Sequence, residues 1–468
     1  MYDVINSKSI KVNEIQKDNN KIICKTDVSE IIYTFTNKTI DIDVNFYDNI
    51  HQYIFLFKAG SNEVIAGKVP YAEWRFYPNC NDLIFVKGMN GLKTQGNCCA
   101  YGSWEGRELI VMNKENNHLS LEPVSLTTEQ RELIDNRAYN LPNEDVYLYS
   151  PKEYEVFQRY SREKGFVNLS GKVSEKITKL YYRIEGKNYK GNKYSSGWKE
   201  IELANSNFDI RLNVPSGGWY KLELKAHDKI VKVIEKFGVG EIIVSSGQSN
   251  STNCGQFYTK TETGMVASPN GTEWKIGDDP QIGPADSYYG GGSLHPALGD
   301  VLYKEFKVPI GIAAIGCAGA TINLFAQGQW VYDYNRTRIN RMGKNGFRAL
   351  IWIQGETDVA SKMPSDEYKL KLENLLNNLR KEVCWNFPCF VAKVSYLNDQ
   401  ERAYEPMRVA QENVIKEGYA FRGVDMDTIG PEYRDVNHKG VHMIPEGLKK
   451  HGQMWADILI PFIHSEID

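Results

Sequence analysis

The strongest constraint on the fold is a change of sequence pattern at about residue 240. From there to the end of the chain, apolar runs such as EIIVSS, VPIGIAAIG and RALIWIQ alternate with predicted amphipathic helices such as HPALGDVLYKEF and SDEYKLKLENLLNNLRKEV. Strands that alternate with helices form a parallel sheet with helices on both faces. We therefore predict an α/β domain with a parallel sheet over residues 241–468.

Before residue 240 the sequence has the pattern of antiparallel β-structure. Short runs that alternate apolar and polar residues, such as KIICKTD and EIIYTFTN, are separated by Gly, Asn and Asp. From residue 146 about seven such runs follow one another, which is typical of an immunoglobulin-like sandwich. We predict a multidomain chain, with a β-rich domain over residues 1–125 and an immunoglobulin-like β-sandwich with a linker over residues 126–240.

Composition argues against several classes of protein. The formal net charge is −3 and no basic stripe occurs, so we expect no nucleic acid partner. No apolar run reaches the ~18 residues of a membrane helix, so we expect no membrane span. The eight cysteines show no zinc-ligand spacing, and we expect neither a metal nor a cofactor. The first residues lack the apolar core of a signal peptide, which leaves both a cytoplasmic and a secreted location open.

Polar side chains follow the predicted strands at the edge where an open α/β sheet binds ligands. Ser249 follows EIIVSS, and Gln354 and Glu356 follow RALIWI. The loop DVNHKGVH, before the last predicted helix, adds a carboxylate and two imidazoles. A serine, a histidine, acids and an amide at one edge are the groups needed for acyl transfer through a serine nucleophile.

Each of these groups has a defined role in that chemistry. A histidine must take the proton from Ser249, and an acid or carbonyl must orient the histidine. The oxyanion needs fixed donors, for which the Ser249 N–H, a glycine N–H and the Gln354 amide are candidates. A helix-capping role for Ser249 is the competing interpretation, because serine is common at that position.

Three motifs resemble the SGNH/GDSL hydrolase superfamily, and within it the sialate O-acetylesterases and acetylxylan esterases. Residues 247–250 read GQSN, residues 351–358 read IWIQGETD, and PIGIAAIGCAGATI is similar to the strand and Gly-Thr turn between them. The resemblance covers roughly residues 150–468 and does not reach the first domain. It implies a three-layer, flavodoxin-like SGNH hydrolase fold, with Ser249 as the nucleophile.

The histidine loop departs from the family pattern, which is Asp-x-x-His with a glycine five residues after the histidine. Asp435 and His438 have the first spacing, whereas His442 and Gly447 have the second. In the second register Lys439 takes the place of the acid, and lysine cannot accept a hydrogen bond from imidazole. We predict His442 as the base, because the start of the helix fixes where it projects, with His438 as the alternative.

The remaining site residues follow from the same comparison. Asp435 is the first choice for the acid, Glu356 the second, and a backbone carbonyl the third. The resemblance places an oxyanion glycine near Gly292, and we predict Gln354, Gly292, Glu356 and Asn250 for oxyanion and substrate binding.

The predicted function is a carbohydrate O-acetylesterase without metal or cofactor, acting through an acetyl-enzyme on a sialic acid-type glycan or a polysaccharide. Its expected partner is therefore an acetylated carbohydrate. A catalytically degenerate glycan-binding protein and a sugar O-transacetylase are the alternatives.

Overall fold

The computed structural model divides the chain into two compact units, Met1–Pro142 and Asn143–Asp468. The linker predicted before residue 146 falls almost wholly outside the residues that the structure describes. The described residues are 2–3, 8–9, 12–37, 39–47, 53–58, 84–87, 90–96, 100–104, 107–112, 118–125, 145–204, 206–271, 273–285, 291–397, 404–436 and 440–467.

Within the described residues of the first unit, every regular element is a β-strand. The strands form two antiparallel sheets, ordered β10-β11-β7-β1-β2 and β3-β4-β5-β6-β12-β9-β8. Ile42 and Val44 are buried while Asp41 and Asp43 are not, as expected for a strand with one covered face. The strands are β1 Tyr2–Asp3, β2 Lys8–Ser9, β3 Glu14–Asp18, β4 Lys21–Lys25, β5 Ser29–Phe35, β6 Ile40–Phe46, β7 Tyr53–Lys58, β8 Ile84–Lys87, β9 Asn90–Gly96, β10 Ala100–Trp104, β11 Arg107–Met112 and β12 His118–Ser125.

The second unit begins with a β-rich part in which two sheets share one core. One sheet is ordered β13-β15-β19 and the other contains β17-β16-β20-β21. Val167 and Leu169 of the first sheet and Leu222 and Leu224 of the second belong to the same buried cluster. The strands are β13 Val146–Ser150, β14 Val156–Gln158, β15 Lys164–Val173, β16 Leu180–Lys187, β17 Lys193–Ser195, β18 Lys199–Ile201, β19 Asn207–Pro215, β20 Gly217–Ala226 and β21 Lys229–Gly247.

Strand β21 runs through the boundary predicted between residues 240 and 241. Its first part pairs with β20 in the β-rich part, and from Glu241 onward it pairs with β24 and β25 in a parallel sheet. The two parts of the second unit are therefore joined by a continuous strand rather than by a loop.

The parallel sheet has the order β23-β22-β24-β21-β25-β26-β27. Strand β23 is antiparallel to β22, and the other neighbours are parallel. All residues of β24 and β25 are buried, as expected for strands that are covered on both faces. The strands are β22 Val266–Pro269, β23 Trp274–Ile276, β24 Ile310–Ala314, β25 Ala349–Ile353, β26 Cys389–Lys393 and β27 Phe421–Asp425.

Helices pack on both faces of this sheet. Helices α1 and α6 share a buried cluster with Ile243 and Ile351, whereas Tyr368 of α4 contacts Trp352, which points to the other face. The predicted helix HPALGDVLYKEF is confirmed, and no described helix is long and apolar enough to cross a membrane. The helices are α1 His295–Phe306, α2 Trp330–Met342, α3 Glu356–Ala360, α4 Ser365–Glu382, α5 Glu405–Lys416 and α6 Pro445–Ile467, with short 3-10 helices at Ser249–Ser251, Ile322–Phe325, Met426–Thr428 and Pro431–Tyr433.

A buried ionic cluster joins the β-rich part to the parallel sheet. Glu241 of β21 accepts hydrogen bonds from Arg159 Nε at 2.6 Å and from Arg348 Nε at 2.8 Å. The side chains of Arg159 and Glu241 are fully buried. Gln158 Nε2 also donates to Glu241, at 2.8 Å. Because both carboxylate oxygens are paired, the charge of Glu241 is compensated despite its burial.

Candidate active site

Ser249 lies at the point where the parallel sheet changes its direction of winding. It follows the carboxyl end of β21, which lies between β24 on one side and β25 on the other. In an open α/β sheet the crevice at such a switch point is where ligands bind. Ser249 begins a 3-10 helix and is 5% exposed.

A glycine is required immediately before the serine turn. Gly247 has a φ of 132°, which favours glycine, and a Cβ there would overlap the carbonyl oxygen of Ile353. The next residue, Gln248, donates its backbone N–H to the same carbonyl at 2.9 Å. The GQSN turn is thus held closely against the end of β25.

The side chain of Gln248 fixes the start of the second motif. Its Oε1 accepts hydrogen bonds at 3.2 Å from the backbone N–H groups of Gly355 and Thr357 and from Gln354 Nε2. Sequence reasoning did not assign a role to Gln248. The signal was present in GQSN itself, where a glutamine stands between the glycine and the serine.

Gln354 is fully buried in a network of protein groups. Besides Gln248, its Nε2 donates to the Ala320 carbonyl at 3.2 Å and to a carboxylate oxygen of Asp358. Its Oε1 accepts from the Tyr368 hydroxyl at 2.7 Å. In this arrangement Gln354 positions the turn, and its role as an oxyanion donor stays a prediction.

Asn250 connects the serine turn to two other predicted site segments. Its Nδ2 donates to Glu356 Oε1 at 2.7 Å and to the Val441 carbonyl at 3.1 Å. Val441 directly precedes His442 in the chain. The residue after the predicted nucleophile therefore contacts the residue before the predicted base.

Glu356 is a buried acid close to the serine turn. Burial raises the pKa of its carboxyl to about 7, and the hydrogen bond from Asn250 acts in the opposite direction. A carboxyl with that pKa is partly protonated near neutral pH. Its hydrogen bond from Asn250 Nδ2 holds that side chain in place.

The histidine loop is held closed by its backbone. The N–H of Asp435 donates to the carbonyl of His442 at 2.9 Å, and the N–H of Gln256 donates to that of Met443 at 2.9 Å. The Arg434 guanidinium donates to several carbonyls of the same region, including Val441 at 3.3 Å. Asp435 is fully buried and His442 is half-buried. The alternative base His438, and Lys439, lie outside the described residues.

Gly292 occupies a narrow position next to the serine turn. It exchanges two backbone hydrogen bonds with Gly255, and its own N–H donates to the Gly255 carbonyl at 3.0 Å. A Cβ at Gly292 would overlap the Phe257 carbonyl oxygen. The assignment of Gly292 as an oxyanion donor stays a prediction, because its N–H points to Gly255 here.

The backbone N–H of Ser249 is a candidate donor to an oxyanion. Within the described part of the chain, the backbone N–H of Ser249 donates to no backbone carbonyl. An N–H in that position can donate to an oxyanion that forms on an ester carbonyl attacked by the same serine.

No group of three His, Cys, Asp or Glu side chains among the described residues could hold a metal ion.

Comparison with solved structures finds distant similarity to several esterases. A carbohydrate acetylesterase from Xanthomonas citri is 16% identical over 66% of this chain and 73% of that protein, with a TM-score of 0.46. A family two carbohydrate esterase from Clostridium thermocellum, in complex with cellohexaose, is 9% identical over 65% of this chain and 94% of that protein, with a TM-score of 0.33. These similarities are too low to carry an argument.

Comparison by sequence gives a firmer result. No curated protein sequence matches the chain. Residues 239–461 match the family model of the carbohydrate esterases described as sialic acid-specific acetylesterases. This range includes the GQSN turn, the QGE motif and the histidine loop, which the structure brings to one sheet edge. Within that range this chain is therefore similar to the carbohydrate esterase family of the sialic acid-specific acetylesterases.

Proposed function

We propose that this chain is a carbohydrate O-acetylesterase that removes acetyl groups from sugars through an acetyl-enzyme on Ser249. The observation that carries the proposal is the pair of hydrogen bonds from Asn250 to Glu356 and to the Val441 carbonyl. They bring the turn of Ser249 against the loop of His442, at the edge where such sheets bind ligands. The match of residues 239–461 to the model of a carbohydrate esterase family supports an acetylated sugar as the substrate.

The proposed reaction has two steps at Ser249. Its Oγ attacks the acetyl carbonyl while His442 takes the hydroxyl proton, and the sugar oxygen leaves with that proton as a free hydroxyl. Water then attacks the acetyl-serine ester while His442 accepts a proton from the water. Acetate leaves, and His442 returns the proton to Ser249 Oγ.

The acid partner of His442 is proposed to be Asp435. It is fully buried, and its backbone is hydrogen-bonded directly to that of His442. An ionised carboxylate orients the imidazole and stabilises the imidazolium. Glu356 is the second choice, because its raised pKa leaves it partly neutral near pH 7. A backbone carbonyl is the third.

The oxyanion is proposed to bind first to the N–H of Ser249. Gly292 and Gln354 are proposed as further donors, and both donate to protein acceptors in this structure. Their participation therefore requires a change of hydrogen-bond partner when substrate binds. Each donor that reaches the oxyanion contributes on the order of 3 kcal/mol to transition-state stabilisation.

For the whole chain we propose the domain organisation predicted from the sequence. A β-rich domain over residues 1–125 and an immunoglobulin-like sandwich over residues 126–240 precede a three-layer SGNH-type catalytic domain over residues 241–468. The substrate is proposed to be an acetylated sialic acid-type glycan or polysaccharide. The degenerate, glycan-binding alternative depends on Lys439 taking the place of the acid, and Lys439 lies outside the described residues.

A covalent trap tests the nucleophile. Wild-type protein is treated with a fluorophosphonate and digested, and the modified peptide is sequenced by mass spectrometry. The proposal predicts one adduct on Ser249, which is absent from Ser249→Ala and strongly reduced in His442→Ala. An adduct on another residue, or equal labelling of Ser249→Ala, contradicts the assignment.

A further inference from the structure

Two neighbouring aromatic side chains, Phe257 and Tyr258, are exposed close to the histidine loop. They are 60% and 56% exposed, more than any other aromatic side chain in the described part of the second unit. Aromatic rings have a large apolar area, and exposing that area to water costs free energy. Two such rings next to each other in the chain are therefore a candidate surface for a ligand that covers them.

The backbone on both sides of this aromatic pair is held in place. On one side, Gln256 donates its N–H to the carbonyl of Met443, which directly follows His442. On the other side, the N–H and the hydroxyl of Thr259 donate to Asp279 Oδ2 at 3.1 and 2.7 Å. A segment held in this way loses little conformational freedom when a ligand binds.

A side-chain contact also connects this segment to the predicted acid. Gln256 Nε2 donates to Asp435 Oδ1 at 3.4 Å. Each of these two residues is followed by an exposed apolar side chain. Phe257 comes after Gln256, and Val436, which is 82% exposed, comes after Asp435. Apolar side chains are thus exposed on both of the segments that this contact joins.

A cavity of about 240 Å³ begins next to the aromatic pair. It is lined by Thr259, which follows Tyr258, and by Pro445, which follows His442 by three residues. Gln453 also lines it. Because a helix rises about 1.5 Å per residue, the lining extends about 12 Å along α6 between Pro445 and Gln453. The cavity therefore continues well beyond the space that an acetyl group needs.

The cavity adjoins the backbone of the aromatic pair at Gly292. Leu448 lines the cavity, and its Cδ1 is 2.8 Å from the position that a Cβ on Gly292 would occupy. The carbonyl oxygen of Phe257 is closer still to that position. The aromatic pair and the cavity thus belong to one region beside the histidine loop.

Positive and negative charges balance in the lining of this cavity. Its described lining residues include three lysines and three acids, Lys260, Lys304, Lys449, Glu262, Asp300 and Glu446. Glu262 pairs with Lys304 at 3.1 Å and with Lys449 at 3.2 Å. A balanced polar lining beside exposed rings matches a neutral sugar, which offers hydroxyl groups to the lining and a C–H face to the rings.

We propose that Phe257, Tyr258 and the adjoining cavity bind neutral sugar residues that are linked to the acetylated sugar. The sugar rings pack on the two aromatic side chains, and their hydroxyl groups bond the polar lining of the cavity. This inference rests on the proposed esterase function, because the acetyl group at Ser249 fixes where the rest of the glycan lies. It specifies the substrate as an oligosaccharide or a longer glycan rather than a single acetylated sugar.

Steady-state kinetics with paired substrates tests this inference. One pair is O-acetylated N-acetylneuraminic acid, free or as the terminal residue of sialyllactose, and the other is O-acetylated methyl xyloside and O-acetylated xylotetraose. In the pair that the wild type hydrolyses, we expect KM to be at least about tenfold lower for the oligosaccharide. The double variant Phe257→Ala, Tyr258→Ala is expected to lose this advantage, with a much smaller change in kcat.

Two further variants separate ring contact from a general effect on the fold. The double variant Phe257→Tyr, Tyr258→Phe keeps both rings and is expected to keep the lower KM for the oligosaccharide. Phe421→Ala is the matched control, because it removes a ring that is 50% exposed at the amino-terminal end of β27, whereas Ser249 follows the carboxyl end of β21. Thermal melting of each variant checks that it is folded.

The possible failures of the two proposals are distinguishable. An equal KM for both members of a pair in the wild type overturns this inference and leaves the esterase function intact. The same holds for an oligosaccharide advantage that survives in the double alanine variant, or that Phe421→Ala removes as well. A wild type that releases acetate neither from these sugars nor from 4-nitrophenyl acetate contradicts the proposed function, and this inference with it.

Discussion

At the scale of single residues, Asn250 connects the parts of the proposed site. Replacing it with alanine removes the hydrogen bonds to Glu356 and to the Val441 carbonyl. The loop of His442 then loses its direct link to the serine turn, and a small displacement of a catalytic group costs up to about 100-fold in rate. We expect Asn250→Ala to lower kcat for an acetyl ester by about 10- to 100-fold.

Steady-state kinetics with a folding check by circular dichroism measures this effect. Asn253→Ala is a useful comparison, because Asn253 bonds the Gln281 backbone on the other side of the turn. An Asn250→Ala enzyme with unchanged kcat would show that the link does not position the base.

Single substitutions also test which acid is the partner of His442. Asp435→Ala is expected to lower kcat by about 10²- to 10⁴-fold, because the imidazole of His442 then lacks the carboxylate proposed to orient it. Glu356→Ala is expected to cost less, since Glu356 contacts Asn250 rather than the histidine loop. Parallel kinetics of the two folded variants decides between them. The assignment fails if Asp435→Ala retains wild-type kcat.

At the scale of elements, two buried histidines, one in α1 and one in α6, make the free energy of unfolding depend on pH. His295 begins α1 and His451 lies in α6, where its Nε2 accepts from Trp455 Nε1 at 3.0 Å. Burial lowers the pKa of each imidazole from 6.5 to about 3. Both are therefore neutral in the folded protein, and the unfolded chain binds more protons between pH 6.5 and 3.

The free energy of unfolding is thus expected to fall as the pH drops through this window. Each histidine contributes a slope of up to about 1.4 kcal/mol per pH unit. Glu155 and Glu356 act in the opposite direction between pH 4.5 and 7, because burial raises their pKa values to about 7. The contribution of one histidine must therefore be measured against a variant that lacks it.

His451→Gln supplies that comparison, since glutamine retains an acceptor for the Trp455 N–H. Urea unfolding from pH 7 to pH 4 should show a shallower loss of stability on acidification for the variant than for the wild type. Parallel stability curves for the two proteins would show that His451 does not titrate between the folded and unfolded states in this range.

At the scale of the whole molecule, Glu241 joins the β-rich part of the second unit to the parallel sheet. Glu241→Gln leaves the buried guanidinium of Arg159 and that of Arg348 without their shared carboxylate. Breaking a buried ion pair in this way costs about 3–5 kcal/mol. We expect a loss of that size in the free energy of unfolding, measured in urea.

Glu412→Gln is the matched control, because Glu412 pairs with the exposed Arg422 and with Lys393 near the surface. Surface pairs of this kind contribute about 0–1 kcal/mol. Equal losses in the two variants would show that the Glu241 cluster does not stabilise the junction.

The sequence predicted those elements whose pattern is set by local periodicity. The helix HPALGDVLYKEF is found with its predicted bounds, because its apolar residues repeat at helical spacing and a proline occupies its first turn. Helix α2 was not predicted, since WVYDYNRTRINRM mixes aromatic and charged residues without a clear apolar stripe. The prediction divided strand β21 after Gly240, whereas the structure continues it from Lys229 to Gly247, because the strand pairs first with β20 and then with β24 and β25.

In the candidate site, too, the sequence predicted only those residues that belong to a local motif. Ser249, Asn250 and Glu356 could be named from motifs, because the chemistry requires those residue types next to strand ends. The roles of Gln248 and Arg434 could not. Gln248 bonds backbone N–H groups that are distant in the chain, and Arg434 bonds carbonyls of nearby irregular turns, such as that of Val441. Such contacts depend on the folded sheet and turns, and they leave no periodic signal in the sequence.

The central claim is tested most directly by acetate release from 4-nitrophenyl acetate and from an O-acetylated sialic acid. Wild type and Ser249→Ala are compared at equal concentration, with folding matched by circular dichroism. The account predicts turnover of both esters by the wild type and a loss of at least about 10³-fold in kcat for Ser249→Ala. Equal acetate release by the two proteins would contradict a serine nucleophile at residue 249.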